Sequence, residues 1–475
     1  MRSPIFSTKR LKHALPLAAL ALAGCATLSP PQDKPLGADL PPGDVTPGNA
    51  PILQLHDGRP VLLYVNNKNQ VVFHPLDAGP RVISEESPPA AALTIPRMHV
   101  DGSGIYAFWR PKLQRPVDGV GGAGDKLVHT RVSRDGGKTF ERTQRLNVSG
   151  GAFLSGAAGN GRGDVYAYWV DERYGSSGYD LYINVTRDGG RNWQESDTRL
   201  DPEQAGIGMS LDPTMAVDGE KAWIAWQEGM KGGPTLFVRA THDRGMGWGK
   251  PIAIATEQRP STTGLQLVKL PATRGGRLVL YWFNQYELLG AYSKDDGKTW
   301  TRFAPLSGLT EPYDLKVAQD PTGKVILVVT DKPQQQREDL YVAVSDDGVT
   351  FPKPTRLDTD PPHQGTSRLP SVAADTAGRI LVAWEDMRAF RSEIYFNYSG
   401  DGGKTWLAQD LKADTAAARQ AAMPRLAADG QGGFRMAWVG YDDPGRRQGK
   451  LYTTVIRPAE RAGVARAERA PDVDR

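Results

Sequence analysis

The stretch Ser399-Gly400-Asp401-Gly402-Gly403-Lys404-Thr405-Trp406 decides how the rest of the chain is read, because variants of it recur at near-constant spacing. They stand at Ser133 to Phe140, Thr186 to Trp193, Thr241 to Trp248 and Ser293 to Trp300, with a sixth, Val344 to Phe351, that keeps all but the leading hydroxyl. The aspartates fall at Asp135, Asp188, Asp243, Asp295, Asp346 and Asp401, in steps of 53, 55, 52, 51 and 55 residues. A fixed period in this range marks a repeat architecture. Within each copy, Asp and Ser or Thr can accept hydrogen bonds from nearby backbone N–H groups, and the following Gly permits a positive φ. That is the chemistry of a tight turn. Strand-like runs lead into it, as at Leu181 to Val185, Leu340 to Val344 and Ile394 to Tyr398, and the closing aromatic restarts an apolar strand.

Two further patterns share the period. Pro-x-apolar-x-apolar-Asp appears at Pro96 to Asp101, Pro213 to Asp218, Pro370 to Asp375 and Pro424 to Asp429, with a looser form from Pro51 to Asp57. An alternating run ending in Trp follows, with Trp109, Trp169, Trp226, Trp282, Trp384 and Trp438 in one register and Val65 and Thr330 in the same place in the two remaining units. Each unit therefore reads as four antiparallel strands: A (the Pro run), B (ending near Trp), C (leading into the turn) and D. Four-stranded units repeated radially predict an all-β propeller. Counting B and C strands gives eight blades over residues 51–458, about 51 residues each. The eighth unit has no evident strand D, which leaves the closure of the ring open.

These boxes resemble the Asp-box, or BNR repeat, of sialidase-like β-propellers. That resemblance implies six blades as an alternative count, with seven also open, boxes that are structural turns, and a ligand site on the opposite face. With strand A starting at that face, the B–C and D–A loops belong to it as well.

The N-terminus carries a different signal. Arg2, Lys9, Arg10 and Lys12 precede the short apolar run Ala14 to Leu22, the layout of an export signal over 1–24. Leu22-Ala23-Gly24-Cys25 resembles the lipobox of bacterial lipoproteins, which implies lipidation of Cys25. Ala26 in place of Asp implies the outer membrane. Cys25 is the sole cysteine, so no intrachain disulfide can form. Residues 25–50 are rich in Pro and Gly and read as an extended tether, and 459–475 as a charged tail. Removing 1–24 leaves 54 basic against 54 acidic residues, and no basic stripe predicts a nucleic-acid partner. The histidines show no metal-ligand spacing, and no cofactor is expected.

Residues just past the strand-B Trp form a polar rim that includes Arg110, Asp171, Arg173, Gln227, Glu228, Glu385, Asp386 and Arg388. Arg368-Leu369-Pro370 resembles the motif that supplies the first arginine of the sialidase triad. The resemblance makes Arg368, Arg388, Asp386, Glu393 and Tyr313 the catalytic candidates, with Arg97, Arg110, Arg425, Asp171 and Arg173 as binding candidates. Bidentate guanidinium pairs are suited to a sugar carboxylate. Against this, Arg368 stands in the penultimate unit rather than the first, and Thr94 occupies the place near the start where the motif has Arg. The Asp-x-Arg pattern at Asp386 and Arg388 also recurs at Asp171 and Arg173, so ion pairing within the loop competes with catalysis. Three functions remain open: a lipid-anchored propeller binding a glycan or protein, an exo-α-sialidase, or an envelope scaffold. Arg368 and Arg388 flank the start of strand A and the end of strand B in one blade, which predicts that they approach one another on the upper face.

Overall fold

The computed structural model describes residues 50–457 together with Lys34–Pro35, apart from the segments 85–95, 111–126, 149–150, 176–177, 231–232, 257–261, 285–286, 334–336, 414–417, 444 and 447–448. The signal segment 1–24, Cys25, most of 25–50 and the tail 459–475 lie outside the described residues.

Eight four-stranded antiparallel sheets form an eight-bladed propeller, seven of them built from four consecutive strands and the eighth taking its outer strand from the N-terminal segment. Blade 7 shows the plan: strand A Ser367–Ala374, B Ile380–Asp386, C Glu393–Ser399 and D Leu411–Lys412. Neighbouring A strands contact one another around the ring, so A is innermost and lines the channel. Up-and-down strand order puts the B–C and D–A connections on one face, here the upper, and the A–B turns and boxes on the lower.

The lower turns follow from residue chemistry. In blade 7, Ser399 Oγ donates to Asp401 Oδ1 (2.9 Å) and accepts from the Gly403 amide (2.8 Å), and Asp401 accepts from the Thr405 amide (2.9 Å) and hydroxyl (2.7 Å). Gly403 sits at φ 84°, and a Cβ there would come within 2.4 Å of Val344 Cγ2 in blade 6. The Asp that ends strand A makes the A–B turn: Asp375 accepts from the amides of Ala377 (3.0 Å) and Arg379 (2.9 Å).

Blades 1 and 6 correct the predicted register by one residue. In blade 6, Ser345 and Asp347 make the box bonds, with Ser345 Oγ to Asp347 Oδ1 at 3.0 Å and the Thr350 amide to Asp347 Oδ1 at 2.7 Å. Asp346 is not the box carboxylate. It points outward and pairs with Arg274 (2.7 Å) and Lys324 (3.3 Å). The place of Trp is likewise taken by Val329, which packs toward blade 5, and by Tyr64, which packs toward blade 8, rather than by Thr330 and Val65.

The core lies between blades. Eight apolar clusters each join two adjacent blades, and the Trp of each blade that has one is buried against the blade before it. Truncating such a ring would cost about 3–5 kcal/mol. One cluster, with Leu62 and Tyr64 of blade 1 against Val439 and Tyr441 of blade 8, closes the circle. The missing strand D is supplied by the predicted tether. Lys34–Pro35 pairs antiparallel with strand C of blade 8, Gly449–Ile456, placing Lys34 opposite Thr453 and Pro35 opposite Tyr452. A proline fits there because an outermost strand needs no donor on its free side.

Candidate functional site

The upper mouth of the channel is shaped by breaks in strand A. In blades 4, 5, 7 and 8 the A–B register slips just before the middle of the strand. The slip is made at Asp212, Gly264, Leu369 and Met423, with φ of 49°, 70°, 51° and 60°. Leucine and methionine seldom adopt that conformation. Bulges concentrate at the rims of closed β structures and beside active sites, where they redirect side chains. Here the bulge separates Arg368, opposite Glu385 in strand B, from the regular ladder that resumes at Ser371.

Arg388 does not share that space. Glu385 and Asp386 are consecutive on strand B and so point to opposite faces of the blade. Arg368 goes with the first and Arg388 with the second, which holds the two arginines apart. Arg388 donates Nε to Asp386 Oδ1 (2.9 Å), Nη2 to Asp386 Oδ2 (2.7 Å), and Nη1 and Nη2 to Asp410 (3.0 and 2.6 Å), and its guanidinium lies over the Tyr395 ring. Burial alone would raise the Asp386 carboxyl, but the bonds from Arg388 and Trp384 outweigh it and hold the pKa low. Blade 3 repeats the device: Arg173 binds Asp171 (2.7 Å) and Asp197 (2.6 Å) over Tyr182. Asp386, Arg388, Asp171 and Arg173 thus form two buried clamps between the B–C loop and the residue that precedes strand D.

The other candidates are also engaged within the protein. Glu393 accepts from Arg391 (2.6 Å) and Lys412 (2.9 Å). Arg97 Nε donates to the Ser155 carbonyl (2.9 Å) and Arg110 Nη1 to the Ala152 carbonyl (2.6 Å), so both tie blade 2 to blade 3, with Arg110 also over Phe153. Arg425 donates to the Pro424 carbonyl (2.8 Å) in blade 8. Burial lowers the pKa of all three guanidiniums. None of the three is brought to Arg368.

What does meet Arg368 comes from three blades. Arg368 Nη2 donates to Glu385 Oε1 at 2.9 Å, and Arg446 Nη2, from the B–C loop of blade 8, donates to the same oxygen at 3.1 Å. Glu385 is fully buried, while the two arginine side chains stay accessible at 37% and 28%. Gln420 orients Arg446 by accepting from its Nε (2.9 Å). Tyr313, at the start of blade 6 and with 42% of its surface exposed, lies within electrostatic range of Arg368. Its phenol pKa is raised by burial and then by the Glu338 carboxylate beside it, with Arg368 pulling the other way. Glu338, which belongs to the B–C connection of blade 6, is the acid that acts most on Tyr313, ahead of its sequence neighbour Asp314. Glu385 stands in the rim predicted from sequence. Arg446 carries no such signal, because its arrival at Glu385 depends on the neighbouring blade.

Among the described residues no group of His, Cys, Asp or Glu is placed to hold a metal ion. A groove of about 480 Å³ opens between the boxes of blades 4 and 5, lined by Trp248, Lys250, Asp243 and Asp296. Its carboxylates are occupied, Asp243 by its own turn and Asp296 by Lys221, and it lies on the face away from the mouth.

Residues 165–382 match the family described as the BNR repeat-like domain. No curated protein matches the chain. Among solved structures, similarity is found to a Hadza microbial sialidase (17% identity, 69% of this chain and 73% of that one, TM-score 0.37). It extends to a polysaccharide lyase described as an ulvan lyase (12%, 90% and 95%, TM-score 0.47) and to a mutant of NanB sialidase from Streptococcus pneumoniae (11%, 86% and 85%, TM-score 0.41).

Proposed function

We propose that this Asp-box propeller is a carbohydrate-binding protein that takes an acidic glycan at the upper mouth, across blades 6 to 8. The observation that carries the reading is the convergence of Arg368 and Arg446, from adjacent blades, on one oxygen of Glu385 beside the exposed Tyr313. A guanidinium has five N–H donors, and each arginine gives only some of them to the protein. The remainder suit a carboxylate or sulfate on a sugar. The Tyr313 ring offers an apolar face to the sugar's C–H groups. Binding of N-acetylneuraminic acid, glucuronate oligosaccharides and neutral sugars by the protein and by Arg446→Ala tests this. Acidic sugars should bind, more weakly at higher salt, and lose at least about tenfold in the variant. Equal binding of neutral sugars, or an unaffected variant, would overturn it.

The nearness of Tyr313 and Glu338 favours a second reading, glycoside cleavage in which Tyr313 attacks the anomeric carbon and passes its proton to Glu338 while the glycosidic C–O bond breaks and the aglycone leaves, taking its proton from water. The raised phenol pKa keeps Tyr313 protonated until a substrate arrives. Release of the fluorophore from a fluorogenic sialoside, lost in Tyr313→Phe, would establish it. Attachment to the outer membrane through lipidated Cys25 belongs to the same proposal and is supported by the basic segment, the apolar run and the Leu22-Ala23-Gly24-Cys25 motif.

A further inference from the structure

The pair formed by Arg368 and Glu385 is only half made. Both arginines at the mouth donate to Glu385 Oε1. An arginine and a carboxylate that meet side by side commonly close a second, parallel bond. Here the atoms that would make it, Arg368 Nε and Glu385 Oε2, are buried and find no hydrogen-bond partner among the described residues. Buried polar atoms in folded proteins are nearly always paired, so an unpaired donor and an unpaired acceptor on one ion pair call for a third group.

We propose that this half-open pair is a subsite for one sugar hydroxyl, which donates to Glu385 Oε2 and accepts from Arg368 Nε. The two atoms select the chemistry. A carboxylate or sulfate has no hydrogen to give Oε2 and would be repelled by it, and an ammonium has no lone pair for Nε. A hydroxyl has both. The inference rests on the mouth being a carbohydrate site, and it assigns the sugar's acidic group to the outer N–H donors of the two arginines. Water has the same two capacities, so the test has to separate a sugar hydroxyl from water.

Glu385→Gln is the informative variant. Its amide oxygen is drawn toward the two guanidiniums, which leaves the NH₂ at the subsite and turns an acceptor into a donor. Calorimetric titration would use the methyl α-glycoside of N-acetylneuraminic acid and its single-deoxy analogues. One analogue should bind the wild-type protein about 10- to 100-fold more weakly than the parent. In Glu385→Gln, checked for an unchanged unfolding midpoint, parent and analogue should bind alike. If every analogue matches the parent on the wild type, the hydroxyl subsite is wrong while the acidic-glycan reading stands. If the sialoside fails to bind at all, that reading falls, and crystals soaked in glycerol decide the subsite. A glycerol oxygen within hydrogen-bond distance of both Arg368 Nε and Glu385 Oε2 sustains it, and water alone at that position overturns it. Should Glu385→Gln not fold, Arg368→Lys, which lacks the Nε donor, takes its place with the same expected loss of discrimination.

Discussion

The Arg388 guanidinium lies 4.0 Å over the Tyr395 ring, and Arg173 lies 3.7 Å over Tyr182, so one device is built twice in blades four steps apart on a ring of eight. Blades 3 and 7 therefore carry it on opposite sides of the channel. In each, the arginine neutralises two buried carboxylates, Asp386 and Asp410 or Asp171 and Asp197.

Removing the cation from such a clamp strands two charges. Arg388→Ala should cost about 3–5 kcal/mol in denaturant unfolding, and Arg388→Lys should recover little, since an ammonium neither forks to two carboxylates nor stacks as a plane. Arg368→Ala, at an open mouth, should cost clearly less while weakening ligand. Equal stability losses would mean that Arg368 is held for structure as Arg388 is.

Local chemistry explains what was legible in advance. The box at Ser399 to Trp406 is a turn whose donors and acceptors lie within five residues, so strand order, blade number and the lower face could be read from spacing alone. The slips in blades 1 and 6 arose where the Trp marker was gone: Tyr64 and Val329 fill the Trp site, and a box one residue shorter puts Asp347 where Asp346 was expected. The Asp-x-Arg repetition correctly suggested ion pairing. The meeting of Arg368, Arg446 and Tyr313 was not legible, because three blades supply it and no periodicity encodes a contact between loops.

Acid should open the boxes. Asp135 is held to about 2 by the Thr139 hydroxyl and then by turn amides, and Asp295 to about 2 by Thr299 and its amide. A carboxylate whose folded pKa lies below its unfolded value contributes stability above about pH 4 that is lost as pH falls through the folded pKa. Thermal unfolding should therefore weaken between about pH 4 and 2. At neutral pH, Asp401→Ala should cost about 1–3 kcal/mol from amides left unpaired, with ligand affinity unchanged. Lost binding at unchanged stability would make the boxes functional.

Glu228 should act in the opposite direction. It holds in blade 4 the place of Asp386, two residues after Trp, but Gly229 and Met230 follow where blade 7 has an arginine. Burial pushes its carboxyl up to about 7, against the bonds from Ser210 (2.7 Å) and Trp226 (3.2 Å). A folded pKa above the unfolded one means the protonated form is favoured in the fold, so stability falls as pH rises from about 4.5 to 7. Glu228→Gln should then stabilise the protein by about 1–3 kcal/mol at pH 8 and leave it unchanged at pH 4. Destabilisation at pH 8 would show that the carboxylate is ionised and well paired.

Ring closure and membrane attachment meet in one segment. Strand C of blade 8 runs from the upper to the lower face, so its antiparallel partner Lys34–Pro35 runs upward. Residues 26–33 can span at most about 28 Å. Cys25→Ser should abolish labelling by a fatty-acid analogue and release the protein from the membrane fraction, and persistent labelling would refute the anchor. In a soluble form starting after Cys25, deleting residues 26–36 removes the outer strand of blade 8 and should lower stability by about 1–2 kcal/mol, the worth of a two-residue ladder. Proteolysis should then begin in strand C of blade 8, Gly449–Ile456. An unchanged midpoint and cleavage pattern would show that the blade 8 to blade 1 core, with Tyr64 against Val439, closes the ring without it.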